Sequence, residues 1–165
     1  HYELAAMEKS FDVQIITQNV DNLHERAGSS NVLHLHGELT KVRGEVHSEY
    51  IVELKPEEYE VKIGDCTPYG DQLRPHIVWF GEIVPEMEKA IQLASGAEIF
   101  LIIGTSMQVY PAAGLIDYVP ANCEIFVIDP NLENSYAKYE NFFKTSATEG
   151  VKILRELLMR KYLKS

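Results

Sequence analysis

The chain has 165 residues, of which 45% are hydrophobic, and its formal net charge is −10 at pH 7. These values are typical of one globular domain, and the acidic balance argues against a nucleic-acid-binding surface while suiting basic, lysine-bearing partners or solubility alone. No apolar run approaches membrane-spanning length, nothing resembles a signal peptide, and two separated cysteines indicate a reducing compartment. We therefore expect a cytoplasmic protein without membrane contact.

Helical and strand-like patterns alternate along most of the chain. The first elements are a helix at 2–9, a strand at 13–17, a short helix at 22–26 and a strand at 32–35. Residues 41–72 interrupt this alternation with mixed charge, glycines and two short strand-like pieces at 50–54 and 59–63. The alternation then resumes with a strand at 76–80, a helix at 85–95, a strand at 98–103, a helix at 112–118, a strand at 124–128 and a helix at 151–162.

Short connections between alternating strands and helices predict an α/β fold with a Rossmann-like, parallel, doubly wound sheet. Residues 1–40 and 73–165 would form the two parts of this domain, with 41–72 as a small inserted module. Dinucleotide-binding sheets usually begin with a strand and a Gly-rich turn, but here the Gly-containing turn at 104–106 comes late. The sheet is therefore expected to be incomplete at its N-terminus, with uncovered edges that favour aggregation.

A group of polar residues follows the first two predicted strands. Gln18, Asn19 and Asp21 come just after the first strand, and His36 ends the second. Open α/β sheets bind ligands outside the carboxyl ends of their strands, so this is the expected place for a site. Asp21 could equally cap the next helix, and spacing alone does not separate the two roles. Alternation puts His34 and His36 on one face, so without the surrounding motif both would be ordinary strand residues.

Four ordered blocks carry a family resemblance. The sequence TQNVDNLHERAG at 17–28, together with His36-Gly37, resembles the catalytic core of the sirtuins, the NAD-dependent protein lysine deacylases. RPHIVWFGE at 74–82 is similar to their acyl-lysine-binding strand, GTS and VYPA within 104–112 to their adenosine-binding turn, and DPNLE at 129–133 to their ribose-binding segment. The VWFGE form is most similar to the bacterial and mitochondrial branch, which removes acetyl or acidic acyl groups.

The resemblance assigns roles to individual residues. His36 would be the general base that takes a proton from a ribose hydroxyl, with Asn19 and Asp21 completing the catalytic set. NAD binding is assigned to Gln18, Asn19, Asp21, Gly104, Thr105, Ser106, Asn131 and Ala147. Acyl-lysine binding is assigned to Val78, Trp79, Phe80, Gly81 and Glu82, with Val78 and Phe80 walling an apolar tunnel. Two alternatives stand beside these roles: turns such as 104–106 are common, and half of the apolar residues at 77–80, Trp79 in particular, would be core.

Sirtuins usually carry four cysteines that hold a structural zinc, and this chain lacks that set. Gly44 stands where one cysteine would be expected, and Cys66 alone remains of the second pair. One thiolate cannot build a closed tetrahedral site, so we expect no metal, with His47, Asp65 and Cys66 as a poor alternative site. The module would instead be held by its strands and by apolar residues, namely Ile51, Leu54, Tyr59 and Ile63.

The function implied by the resemblance is NAD-dependent deacetylation or desuccinylation of protein lysines, releasing nicotinamide and O-acyl-ADP-ribose. The alternative is a binding module that holds acyl-lysine peptides or adenine nucleotides but needs a missing N-terminal segment for turnover. An oxidoreductase is disfavoured, because no Gly-x-Gly-x-x-Gly turn or hydride-transfer set is present. The preferred acyl group, the protein targets and the oligomeric state stay open.

Overall fold

The computed structural model describes residues 1–55, 57, 60–105, 110–131 and 141–163. Its helices are α1 (Tyr2–Met7), α2 (Leu23–Arg26), α3 (Met87–Ser95) and α4 (Ala147–Tyr162), with a 3₁₀ helix at Ala112–Tyr118. Its strands are β1 (Ile15–Thr17), β2 (Val32–His34), β3 (Gly37–Gly44), β4 (Ile51–Glu53), β5 (Leu73–Ile77), β6 (Ile99–Ile103), β7 (Glu124–Ile128) and β8 (Asn141–Phe143). Among these residues, no helix is both long and apolar enough to cross a membrane.

The parallel strands form two separate sheets within the described residues. β1 pairs with β2, which sets Thr17 opposite His34, and β6, β7 and β8 pair in that order. Because the strands of each sheet are parallel, their carboxyl ends meet at one edge. The predicted parallel α/β architecture is therefore present, but as two sheets rather than one continuous sheet.

A third sheet is antiparallel and has the order β4-β3-β5. It begins at Gly37 and ends at Ile77, so it extends on both sides of residues 41–72, whose bounds as a module remain a prediction. The sequence patterns did not indicate β3, and they placed β5 too late, at 76–80. The strand ends earlier because the chain turns at Gly81, whose φ is 91°, and Glu82 N–H donates to the Trp79 carbonyl at 3.0 Å.

Two apolar clusters hold the parallel sheets between helices. One joins α1 and α4 to β7, through Met7, Phe126, Ile128, Val151, Leu154 and Leu158. The other packs α3 and the 3₁₀ helix against the end of β2, through Leu35, Ala90, Ala94, Ala112 and Leu115. A Cβ at Gly150 would lie 2.4 Å from Ile128 Cγ2, so α4 approaches β7 as closely as a glycine permits. These clusters fix the strand ends from which the polar residues project.

α4 begins at Ala147, one turn before the predicted residue 151. The Ser146 hydroxyl accepts a hydrogen bond from Glu149 N–H at 3.4 Å, which caps the first turn. Serine followed three residues later by glutamate is the usual sequence pattern of such a cap, contributing about 1 kcal/mol. The apolar periodicity alone missed this turn because Ala147, Thr148 and Glu149 are exposed.

Candidate functional site

The site lies where β1 and β2 end side by side. Asn19 N–H donates to the Thr17 hydroxyl at 3.1 Å, and the Asn19 carbonyl lies 3.0 Å from His34 Nδ1. Leu35 N–H donates to the Thr17 carbonyl at 2.9 Å, which continues the pairing of the two strands. The backbone of Asn19 is thus held at both its N–H and its carbonyl, while its side chain is exposed. The exposed amide can meet a ligand from a fixed backbone.

His36 lies two residues beyond His34, the last residue of the β1–β2 ladder, and is half-buried. Its Nδ1 lies 3.1 Å from the Gln18 carbonyl. A carbonyl can only accept, so Nδ1 must carry the hydrogen, and a neutral His36 ring therefore has its lone pair at Nε2. No described group forms a hydrogen bond with that Nε2. This is the tautomer that a general base needs.

Gly37 lets the chain turn beneath β5 immediately after His36. Its φ is 78°, and a Cβ on this residue would lie 2.0 Å from the His76 carbonyl oxygen. The next contact along this crossing is Val78 N–H, which donates to the His36 carbonyl at 2.9 Å. Glycine is therefore required here both by the positive φ and by the close approach of the His76 carbonyl. The bond from Val78 N–H also joins the candidate base, His36, to the predicted substrate segment at 78–82.

His34 and Glu25 form an ion pair beside this site. His34 Nε2 lies 2.8 Å from Glu25 Oε1, and the His34 side chain is only 5% exposed. Burial disfavours the imidazolium, but hydrogen bonds to Glu25 and to the Asn19 carbonyl outweigh it and raise the pKa of His34. Burial likewise opposes ionisation of Glu25, yet the hydrogen bond from His34 leaves the pKa of Glu25 lowered. Both shifts favour the charged form of the partner concerned.

The predicted NAD-binding residues fall at the carboxyl ends of several strands. Gln18 Nε2 donates to the Thr105 hydroxyl at 3.3 Å, so the ends of β1 and β6 lie together. Gly104 has φ 59°, and no atom would lie within 4 Å of a Cβ there, so its backbone is open to a ligand. Asn131 follows β7 and Ala147 follows β8, both exposed, while Ser106 lies outside the described residues. The described residues of this set therefore lie at the carboxyl ends of strands in two sheets, and the hydrogen bond from Gln18 to Thr105 joins the ends of β1 and β6.

Asp21 shows the capping contact that was considered as its alternative role. Its Oδ1 accepts a hydrogen bond from Leu23 N–H at 3.1 Å, at the start of α2. One oxygen of the carboxylate therefore orders the turn between β1 and α2. The role of Asp21 in binding NAD stays a prediction.

The predicted substrate segment is mostly exposed. Phe80 is 97% exposed and Trp79 is 57% exposed, so neither belongs to the core, and Phe80 does not wall a tunnel in this structure. Val78 is half-buried, and Gly81 has a positive φ. The expectation that Trp79 is a core residue is therefore wrong. An exposed aromatic pair beside His36 is instead suited to contact an apolar ligand.

Glu82 holds this segment in place through ion pairs that the sequence did not reveal. Arg74 Nη1 donates to Glu82 Oε1 at 2.6 Å, and Arg43 Nη2 donates to Glu82 Oε2 at 3.4 Å. Glu82 Oε2 also accepts Trp79 N–H at 2.9 Å. The bond from Arg74, followed by that from Trp79 N–H, lowers the pKa of Glu82. The Glu82 carboxylate therefore orders the loop, and its oxygens are already occupied by these partners.

The segment at 41–72 is held by a hydrogen-bonded cluster around Asp71. The Asp71 carboxylate accepts from Val46 N–H at 2.9 Å, from His47 N–H at 3.1 Å and from the Thr67 hydroxyl, and it pairs with His47 Nδ1 at 2.9 Å. We call Asp71, Val46, His47 and Thr67 the Asp71 hub. The Thr67 hydroxyl bond is the main cause of the strongly lowered pKa of Asp71. Ile51 and Ile63 are exposed, so the expectation that they hold this segment is wrong, and Tyr59 lies outside the described residues.

Among the described residues, Glu25, His34 and Glu38 bring three potential ligand atoms within 4.8 Å of one another. These side chains already have partners, since Lys41 Nζ pairs with Glu38 Oε2 at 2.5 Å and His34 pairs with Glu25. Within the same described part of the chain, His47, Asp65 and Cys66 do not come together as a metal-binding group, and His47 pairs with Asp71. The absence of zinc stays a prediction.

Residues 1–111 match the family model described as the Sir2 family. An NAD-dependent protein deacylase of Bacteroides thetaiotaomicron is 56% identical over 163 residues, which are 96% of this chain and 70% of that protein. A solved Sir2 homologue in complex with NAD matches with a TM-score of 0.83 and 34% identity, over 99% of this chain and 65% of that one. A Sir2 structure with p53 peptide and NAD+ matches with a TM-score of 0.76 and 27% identity, over 98% and 68%.

The chain is shorter than its relatives. It spans between 50% and 70% of the length of bacterial proteins that are called NAD-dependent protein deacylases.

Proposed function

The chain belongs to the Sir2 family, and on that premise we propose that it forms the catalytic part of an NAD-dependent protein lysine deacylase. The reaction would release nicotinamide and transfer the acyl group of lysine to ADP-ribose. One observation carries this proposal: His36 donates from Nδ1 to the Gln18 carbonyl and so presents a basic Nε2. The bound NAD would supply the activated ribose carbon to which the acyl oxygen adds.

The residues present fit an adenine dinucleotide at the carboxyl edge of the parallel strands. Gln18 and Thr105 supply an amide and a hydroxyl beside each other, and Asn19 adds an exposed amide. Gly104 leaves its backbone open on the same edge. We assign the nicotinamide-side ribose to Gln18, Asn19 and Asp21. The adenosine side is assigned to Gly104, Thr105, Ser106, Asn131 and Ala147.

His36 would remove a proton from a ribose hydroxyl once nicotinamide has left. Its hydrogen bond to the Gln18 carbonyl keeps the proton on Nδ1 and the lone pair on Nε2, as proton transfer requires. The half-buried setting limits exchange with bulk water. Asn19 would hold a ribose hydroxyl or a water nearby, because its backbone is fixed at both ends and its amide both donates and accepts.

The substrate would be a peptide bearing acetyl-lysine or succinyl-lysine, bound along 78–82. Val78 N–H is already engaged by the His36 carbonyl, so the peptide would use the other main-chain groups of this segment. Trp79 and Phe80 offer exposed aromatic surface to the lysine stem and would become covered on binding. Glu82 would keep the segment in shape through Arg74 and Arg43.

The test is nicotinamide release from NAD with acetyl-lysine and succinyl-lysine peptides, comparing the chain with His36→Ala. We expect release that His36→Ala abolishes and that a control, His47→Asn, retains. In the control, the asparagine amide can replace the Nδ1 donor that pairs with Asp71, away from the site. Release that persists in His36→Ala would overturn the assignment of the base.

The second candidate, a binding module that does not turn over alone, is favoured by one observation: the chain spans 50% to 70% of the length of its relatives. It predicts that ADP-ribose or acyl-lysine peptide binds while no nicotinamide is released. Calorimetry with ADP-ribose, set beside the release assay, separates the two candidates.

A further inference from the structure

We propose that the His34–Glu25 pair is a charged clamp that positions Asn19, making His34 and Glu25 positioning residues for the reaction proposed above. The role differs from that of His36, which faces the reacting atoms. It rests on the proposed function only for its kinetic consequences, because the clamp itself is a feature of this chain's hydrogen bonds.

The ring of His34 faces an acceptor at each nitrogen. Nδ1 lies 3.0 Å from the Asn19 carbonyl, and Nε2 lies 2.8 Å from Glu25 Oε1. A neutral imidazole has a single N–H and can satisfy one of these contacts, whereas the imidazolium satisfies both. The geometry therefore selects the cation, with Glu25 as its counter-ion. Among the described residues, His36 has one such contact, to the Gln18 carbonyl, which a single N–H satisfies.

The charged groups around His34 favour this state. Glu25 approaches from α2, and Glu38 approaches from β3, where Lys41 partly neutralises it. His24 also lies in α2, and burial lowers its pKa, so a second positive charge beside His34 is disfavoured. A carboxylate paired to a buried imidazolium is the arrangement in which losing one partner is costly, because the other is left buried and unpaired.

The clamp ties three elements to one peptide. His34 ends β2, Glu25 lies in α2, and Asn19 follows β1, so the two hydrogen bonds of His34 connect all three. Asn19 N–H is held separately by Thr17. The carbonyl of the preceding residue, Gln18, holds His36. His34 and His36, two residues apart, thus contact successive carbonyls. Loss of the His34 contact would free the Asn19 carbonyl, next to the peptide whose Gln18 carbonyl orients His36.

The clamp is tested directly by nitrogen-15 NMR of the histidine side chains. We expect both ring nitrogens of His34 to be protonated near neutral pH, and Glu25→Gln to lower the pH at which His34 loses one proton. The Asn19 amide signals should shift in Glu25→Gln and should not shift in His47→Asn, which alters the separate pair of His47 and Asp71 in the Asp71 hub. A neutral His34 in the unaltered protein, or unmoved Asn19 signals in Glu25→Gln, would overturn the proposal. A Zn²⁺ titration in which the metal replaces the proton on His34 Nε2 would also overturn the proposal.

Kinetics provide the second readout, using His34→Asn and Glu25→Gln. Asparagine keeps a donor for the Asn19 carbonyl but cannot reach Glu25, so it removes the clamp with little change in volume. We expect kcat to fall about tenfold or more with the KM for the acyl-lysine peptide nearly unchanged, since misplacement of a catalytic group by about 1 Å is that costly. The loss of activity at alkaline pH should move to lower pH in Glu25→Gln. Folded variants with unaltered kcat and pH profile would overturn the proposal. If the unaltered chain releases no nicotinamide, the proposed function is overturned, and the NMR measurement alone decides whether the clamp exists.

Discussion

Replacing Gly37 by alanine tests whether the close crossing beneath β5 determines stability. A Cβ at residue 37 would lie 2.0 Å from the His76 carbonyl oxygen, 2.9 Å from its carbon and 3.1 Å from Ile77 Cα. These are backbone atoms, so no side-chain rotation can relieve the contact. The strand pair Gly37–Ile77 and the bond from Val78 N–H to the His36 carbonyl hold the crossing on both sides.

The expected cost has two parts. Alanine at positive φ costs roughly 1 kcal/mol. Moving β5 away by more than 1 Å would break about two backbone hydrogen bonds, each contributing about 1 kcal/mol. Gly37→Ala should therefore lower the free energy of unfolding by about 3 kcal/mol. It should also abolish nicotinamide release, because the movement displaces His36.

The matched control is Gly28→Ala, which has a similar positive φ of 99° but no atom within 4 Å of the added Cβ. It should cost only the backbone part, roughly 1 kcal/mol. The measurement is urea denaturation of both variants followed by circular dichroism. Equal destabilisation of the two variants would show that the crossing is not tight, and would refute the reasoning about Gly37.

Four further predictions concern ion pairs, the hub and metal. Glu25→Gln should lower the free energy of unfolding most between pH 4.5 and pH 6.5, the ordinary pKa values of glutamate and histidine. In that range the raised pKa of His34 and the lowered pKa of Glu25 both contribute fully to stability. The destabilisation should shrink as the pH rises through the pKa of His34 or falls through that of Glu25; urea midpoints across pH measure this, and a flat profile would contradict it. Asp71→Asn should speed hydrogen exchange at the Val46 and His47 amides, with Asp65→Asn, which leaves the hub intact, as its control. Glu82→Gln should raise the KM for the peptide severalfold with a smaller change in kcat, because Arg74 and Arg43 lose the carboxylate that pairs with them and orders the loop. A large fall in kcat with little change in KM would instead show that Glu82 takes part in the reaction itself. A strong chelator should leave the melting temperature unchanged, and zinc bound in stoichiometric amount would contradict the expectation of no metal.

The parallel strands and the site motif could be predicted from the sequence because both rest on local patterns. The run at 125–128 is continuously apolar, and β7 has the predicted bounds of 124–128. The polar group after β1 marks a strand end whatever its partners are. Gln18, Asn19 and His36 could therefore be placed near strand ends without knowledge of the pairing, while their functional roles stay predictions.

The remaining features depend on contacts between distant residues. β3 carries charged residues on a half-buried sheet, so its pattern does not alternate cleanly. The Glu25–His34 and Glu82–Arg74 pairs join positions whose relation is set by the fold, and a charged residue in a sequence does not reveal its partner. The hub is hidden for the same reason, since Asp71 binds two backbone amides that no side-chain pattern reports.

Gly44 gives the Asp71 hub an evolutionary consequence. A Cβ at this position would lie 2.6 Å from both Asp71 Oδ2 and the His47 carbonyl oxygen, and 2.9 Å from the Thr67 methyl carbon. A cysteine introduced at residue 44 would therefore break the hub, and it would not by itself complete a four-ligand metal site. A chain with that single change would have neither the hub nor a metal ion to hold the segment. Descendants of this chain are thus expected to vary around the hub while keeping residue 44 without a side chain.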